Sequence, residues 1–188
     1  KILAEAVQEL RKDEFSELYQ KDMEQRAITE DNFVDEVPVE SDLELMFPVT
    51  YIPNDAERVA IYRELDNMET ETQILEFTQK LEDRFGKIPN QGKELIRIVR
   101  LRRLAKSLGI EKLFLKAGQM TLFLISDTES PYYRSPVFDK LLDFIQNNPR
   151  QCQLREIKKK RSVVIRNIKT VETAVAILEQ IKQGITIS

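Results

Sequence analysis

The chain has 188 residues, 41% of them hydrophobic, which suffices for one domain with a packed core or a smaller domain carrying an arm. A net charge of -3 argues against a general nucleic-acid binder, and the lack of histidine beside a single cysteine, Cys152, removes His/Cys zinc sites, disulfides within the chain and His-based relays. The five glycines stand singly, so no phosphate loop forms, and no apolar run reaches membrane length; a cytoplasmic fragment with no catalysis, no cofactor and no membrane contact is expected.

Charge is unevenly spread. Residues 1–45 carry 14 acidic against 5 basic side chains, 93–116 carry 8 basic against 2 acidic, and 150–170 carry 8 basic against 1 acidic. The chain is acidic first and basic later.

Lys1 to about Glu30 has helical periodicity, with Ile2, Leu3, Ala6, Val7 and Leu10 on one stripe. Because its second half is highly charged, 1–38 is expected to be a helical arm and linker, and 39–188 the compact domain. A start without Met, already in helical pattern, points to a fragment of a longer protein. In Val39–Pro53 the alternation of Leu43, Leu45 and Phe47 with polar residues predicts a short strand that Pro48 stops. Asn54 is a candidate helix cap, with Val59, Ile61, Tyr62 and Leu65 behind it. Thr70-Glu71-Thr72-Gln73 matches a capping box for a second helix whose buried face is Ile74, Phe77, Leu81 and Phe85.

That helix should end in Leu81-Glu82-Asp83-Arg84-Phe85-Gly86-Lys87-Ile88-Pro89, with Gly86 in the left-handed conformation and Pro89 and Asn90 opening the next helix. The corner fixes the two helices around Phe85. Asp83 and Arg84 there read either as a surface clamp or as a solvated pair at a helix end. The third helix runs to Leu108, with Leu95, Ile98, Leu101, Ala105 and Leu108 on one side. On the other are Lys93, Arg97, Arg100, Arg103 and Lys106, a phosphate-facing or acid-facing strip or a solvated face.

After Gly109 the period becomes alternating. Leu113 and Leu115, then Met120, Leu122 and Leu124, flank Ala117-Gly118-Gln119 as in a β-hairpin. Residues 126–134 are polar and turn-rich. Ser135-Pro136 opens a helix to Asn147, and strands at about 152–157 and 162–168 are joined by Lys158, Lys159, Lys160 and Arg161, either an anion contact or a guarded loop tip. Thr170 caps a last helix carrying Val171, Ala174, Val175, Leu178 and Ile181. Three helices followed by two hairpins, with helices between and after them, make an α+β fold.

Residues 42–182 resemble the C-terminal domain of the bacterial transcription-repair coupling factor family. The resemblance rests on the order of Asp42-Leu43, Tyr51-Ile52-Pro53-Asn54, Arg58 with Tyr62-Arg63-Glu64-Leu65, Asp83-Arg84-Phe85-Gly86 with Pro89, and Arg100-Leu101-Arg102 with Leu108-Gly109-Ile110. The opening Ile2 to Val7 is similar to the helix that follows the motor in that family.

The resemblance implies a regulatory domain without an active site. It would pack on a UvrB-like N-terminal module of the same protein, mask the surface that binds UvrA, and restrain a DNA translocase whose ATP and Mg sites lie upstream. Through that parent the partners would be UvrA, RNA polymerase and duplex DNA. The family's clamp contact maps onto Asp83. A second contact, often acidic, maps onto Lys80 and so departs from the pattern, with Glu82 as its substitute. The alternative is a nucleic-acid module using Arg97, Arg100 and Arg103 together with the cations at 158–161.

Overall fold

The computed structural model describes residues 33–184. The elements in chain order are β1 (Val39–Ser41), α1 (Asp55–Asp66), α2 (Glu71–Phe85), α3 (Asn90–Ser107), β2 (Lys112–Lys116), β3 (Gln119–Phe123), a 3-10 turn (Pro131–Arg134), α4 (Pro136–Asn147), β4 (Cys152–Ile157), β5 (Lys160–Arg166) and α5 (Val171–Gln183). The α+β class and the succession of helices and hairpins agree with the sequence pattern. The predicted helix within residues 1–30 lies outside the described residues.

The two hairpins merge into one sheet of order β1-β2-β3-β5-β4. β3 joins them, pairing antiparallel with β2 on one side and with β5 on the other. β1 pairs parallel with β2, which requires a long crossover, and the three helices α1 to α3 supply it. Successive strand residues alternate faces, so Leu113, Leu115, Met120, Leu122, Val163 and Ile165 share one face and are buried. Phe114, Thr121 and Phe123 lie on the opposite face, outside both apolar clusters.

The strand predicted around Leu43, Leu45 and Phe47 forms earlier, at Val39–Ser41. Pairing with β2 sets its limits: Leu113 N–H donates to Pro38 O (3.0 Å) and Asp42 N–H to Leu115 O (3.3 Å). The Ser41 hydroxyl then donates to Leu115 O and accepts from Leu43 N–H, and the ladder stops. Leu43 and Leu45 instead pack half-buried on the main core, while Phe47 is buried among the helices. Alternation here reflects burial without a ladder.

Apolar residues fall into two clusters. One lies between the inner sheet face, α4, α5 and the second half of α3; the other, around Phe47, Ile52, Ile74, Phe77 and Leu81, holds α1, α2 and the start of α3 together. α3 therefore touches both: Ile96 and Val99 belong to the helical cluster, Leu101 and Ala105 to the sheet cluster. A helix shared by two cores buries more than one stripe, so its arginines sit at the rims between elements.

Phe33, Val34 and Val37, within the stretch read as an arm, pack on the sheet cluster, with Phe33 edge-on to Tyr132 at 5.1 Å. Tyr132 comes from the segment read as a polar turn and is fully buried. It fits because residue 109 is Gly: a Cβ there would stand 2.3 Å from the Tyr132 ring, and the backbone φ of +70° also favours Gly.

Candidate interdomain site

α2 begins at a complete capping box, Thr70 accepting from Gln73 N–H while the Gln73 side chain accepts from Thr70 N–H. Ile74, Phe77 and Leu81 bury its inner face. At its end Gly86 has φ +84° and ψ -164°, so φ is positive as anticipated but ψ lies outside the left-handed helical region, in ground that essentially only Gly occupies. Tyr51 holds this turn, its hydroxyl donating to Gly86 O (2.7 Å) and approaching Leu81 O (3.3 Å), while its ring packs on Phe85 at 5.7 Å. Burial pushes the Tyr51 hydroxyl pKa up, and the Glu82 carboxylate adds to the rise.

On this anchored corner Lys80, Glu82, Asp83 and Arg84 are exposed and Phe85 is half-buried. Arg84 does not serve its neighbour Asp83. Its guanidinium meets the Glu57 carboxylate of α1 at 2.5 Å, in a close ion pair rather than a well-directed hydrogen bond, and lies over the Phe85 ring at 4.9 Å. Among the described residues no cation pairs with Asp83, Glu82 has no side-chain partner, and Lys80 pairs with no carboxylate. The corner thus presents two carboxylates and one ammonium to solvent on a rigid turn. Neither the Arg84–Glu57 pair nor the Tyr51 lock was visible in sequence, because partners 27 and 35 residues apart leave no local signal.

The basic strip of α3 has a different setting. Arg100 grips Glu71 of α2 (Nε to Oε1 2.9 Å, with a second nitrogen at 2.6 Å), and Arg103 reaches the same carboxylate at 3.4 Å. Arg97 bonds Glu94 at 3.2 Å and approaches Glu172 at 3.6 Å, and Arg102 pairs with Asp66 at 2.7 Å. Glu94 also accepts from Val171 and Glu172 N–H, capping α5 from another helix. These arginines are spent on joining helices. At the β4–β5 hairpin, Lys158 and Lys159 form the turn and Lys160 and Arg161 begin β5; among the described residues Arg161 alone of the four meets a carboxylate, Glu156 at 3.9 Å, and it also covers the Tyr133 ring at 4.6 Å. Among the described residues no group of His, Cys, Asp and Glu is placed to hold a metal.

The family model named TRCF domain matches residues 41–135, half of the chain, from the edge of β1 through the α2 corner to the 3-10 turn. The chain belongs to the TRCF domain family. Curated relatives include the transcription-repair-coupling factor of Rickettsia typhi, 26% identical over 148 residues, covering 74% of this chain and 12% of that protein. The Escherichia coli K12 protein of the same name is 34% identical over 84 residues, covering 45% of this chain and 7% of its own length. The chain thus spans about an eighth or less of these relatives. Among solved structures, a crystal structure of the C-terminal domain of transcription-repair coupling factor superposes with a TM-score of 0.58 at 15% identity, covering 79% of this chain and 94% of that one. At that identity the likeness concerns the fold. Among the described residues of this TRCF domain no helix is long and apolar enough to cross a membrane.

Proposed function

We propose that this TRCF domain is a non-catalytic regulatory module of a cytoplasmic transcription-coupled DNA repair translocase. It packs on the UvrB-like N-terminal module of the same protein, masks the surface that binds UvrA and restrains the motor, whose ATP and Mg sites lie elsewhere in the parent. UvrA, RNA polymerase and duplex DNA are then partners of the parent protein. The observation that supports this reading most directly is the state of Asp83. A carboxylate at a helix C-terminus opposes the helix dipole, at a cost of about 0.3–1 kcal/mol. The cation beside it, Arg84, is committed to Glu57. An unpaired anion on a turn fixed by Tyr51 suits a cation on another module, where desolvation makes the pair strong and directional.

The test uses the full-length protein, comparing wild type with Asp83→Arg for UvrA affinity and basal ATPase. Breaking one partner of a buried pair costs about 3–5 kcal/mol, so both quantities should rise by orders of magnitude if the contact holds a closed state. No change in either, with the domain still folded, would make Asp83 an ordinary surface residue and end this assignment.

A further inference from the structure

Among the described residues β4 lies at the end of the sheet and pairs only with β5. Register decides which of its backbone groups point outward. Arg166 N–H donates to Gln151 O at 2.9 Å, and carrying that pattern along the ladder turns Gln153, Arg155 and Ile157 toward β5. Cys152, Leu154 and Glu156 then direct their N–H and C=O groups away from the sheet. Cys152 N–H is taken by Asn148 O at 2.9 Å, while among the described residues nothing bonds the backbone of Leu154 or Glu156 on that side.

Edge strands are commonly shortened, bulged, covered, interrupted by proline or guarded by charged side chains, and of these devices β4 has only the charges. β4 has six residues in unbroken register with β5, contains no proline, and is exposed from Gln153 to Ile157. Leu154 (45% exposed) and Ile157 (65%) are two of the five large apolar side chains that the described residues leave open to solvent. Leu154 and Ile157 lie on opposite faces of the strand, and Arg155, Lys158, Lys159 and Lys160 flank them in sequence, with Glu156 the sole carboxylate between Arg150 and Arg161. Lys158 and Lys159 hold a tight turn at φ 52° and 65°, where Asn-Gly is the usual occupant, so cations stand at the tip despite the backbone cost.

We propose that the β4 edge is a β-augmentation site for an extended acidic peptide segment that alternates carboxylates with β-branched residues. Its backbone completes the bonds of Leu154 and Glu156, its apolar side chains cover Leu154, and its carboxylates meet Arg155 and the lysine tip. A polyphosphate chain fits less well, since phosphate oxygens accept from N–H but leave the outward carbonyls unpaired. A second copy also fits less well. Antiparallel self-pairing centred on Leu154 sets Arg155 against Gln153 and brings no carboxylate to the lysine tip, and centring it on Arg155 sets that residue against itself.

The probe is a fluorescein-labelled peptide of alternating glutamate and valine, titrated into the whole chain while amide exchange is followed. The peptide is expected to bind and to slow exchange at Leu154 and Glu156. Glu156→Pro, which removes an outward N–H and no ladder bond, should weaken binding about tenfold or more with little change in melting. The Arg155→Glu, Lys159→Glu double variant keeps the edge intact and should transfer preference to a lysine-valine peptide, so a misfolded Glu156→Pro would not leave the question open. Peptide binding unaffected by both variants, no binding at millimolar peptide, β4-dependent dimerisation in place of peptide capture, or a preference for oligothymidylate over the peptide would each overturn the proposal. None of these readouts depends on Asp83, so this site and the α2 corner stand or fall separately.

Discussion

The guanidinium of Arg84 lies 2.5 Å from the carboxylate of Glu57, across the interface of α2 and α1, and among the described residues no cation pairs with Asp83. Arg84 is 65% exposed and Glu57 26%, so the pair adds little stability, about 0.2–1 kcal/mol. Glu57→Ala should therefore melt close to wild type by calorimetry. An Asp83→Ala variant of the isolated chain should melt at the wild-type temperature or slightly above, since it relieves the unfavourable dipole contact. A clear drop would place Asp83 in the domain's own stability.

Gly109 and Tyr132 make a contact with no slack. Gly109→Ala combines a 2.3 Å clash with a backbone of φ +70°, and should cost about 2–4 kcal/mol in denaturant unfolding. Among the described residues the buried Tyr132 hydroxyl has no bonding partner, so Tyr132→Phe should be neutral or stabilising by up to about 1 kcal/mol. A large loss in Tyr132→Phe would mean that the hydroxyl is satisfied by water.

Removing residues before Phe33 should leave the melting transition in place, whereas starting the chain at Val39 should lower stability by about 3 kcal/mol. The second truncation deletes buried Val37 and the Phe33 ring edge-on to Tyr132. Equal melting of the two truncations would show that Phe33 and Val37 contribute nothing to the core.

Burial pushes the Cys152 thiol up to about 11, with Arg166 acting in the opposite direction. The unfolded chain ionises this thiol first, near its ordinary value of about 8.5–9, so the thiol's contribution to stability is present below that pH and is lost as pH rises toward 11. Stability measured by urea titration should fall across that window, and Cys152→Ala should fall less steeply than wild type. Parallel profiles would rule the thiol out as the cause.

Duplex DNA should bind this chain weakly at physiological salt, since Arg97, Arg100 and Arg103 are engaged by Glu94, Glu172 and Glu71. Neutralising Lys158, Lys159, Lys160 and Arg161 should change that affinity little. Tight, steeply salt-dependent binding that disappears in this variant would favour a nucleic-acid module.

What the sequence determined on its own is local. The Thr70 capping box, the Ser135-Pro136 and Thr170 helix starts, the end of α2 at Gly86 and the hairpin across Ala117-Gly118 are each written within a few residues, where backbone sterics and capping bonds act. Tertiary structure decided the rest, because partners distant in sequence competed for the same groups. β1 formed at Val39 rather than Leu43 because β2 offered its backbone there, 74 residues away. Tyr132 left a polar segment for the core because Gly109 made room for it. The arginines of α3 look like a free basic face in sequence, but Glu71, Asp66 and Glu172 reach them from other helices and Glu94 from one turn earlier on α3 itself. Among the described residues no cation pairs with Asp83, and its sequence neighbour Arg84 instead meets Glu57, 27 residues away on α1.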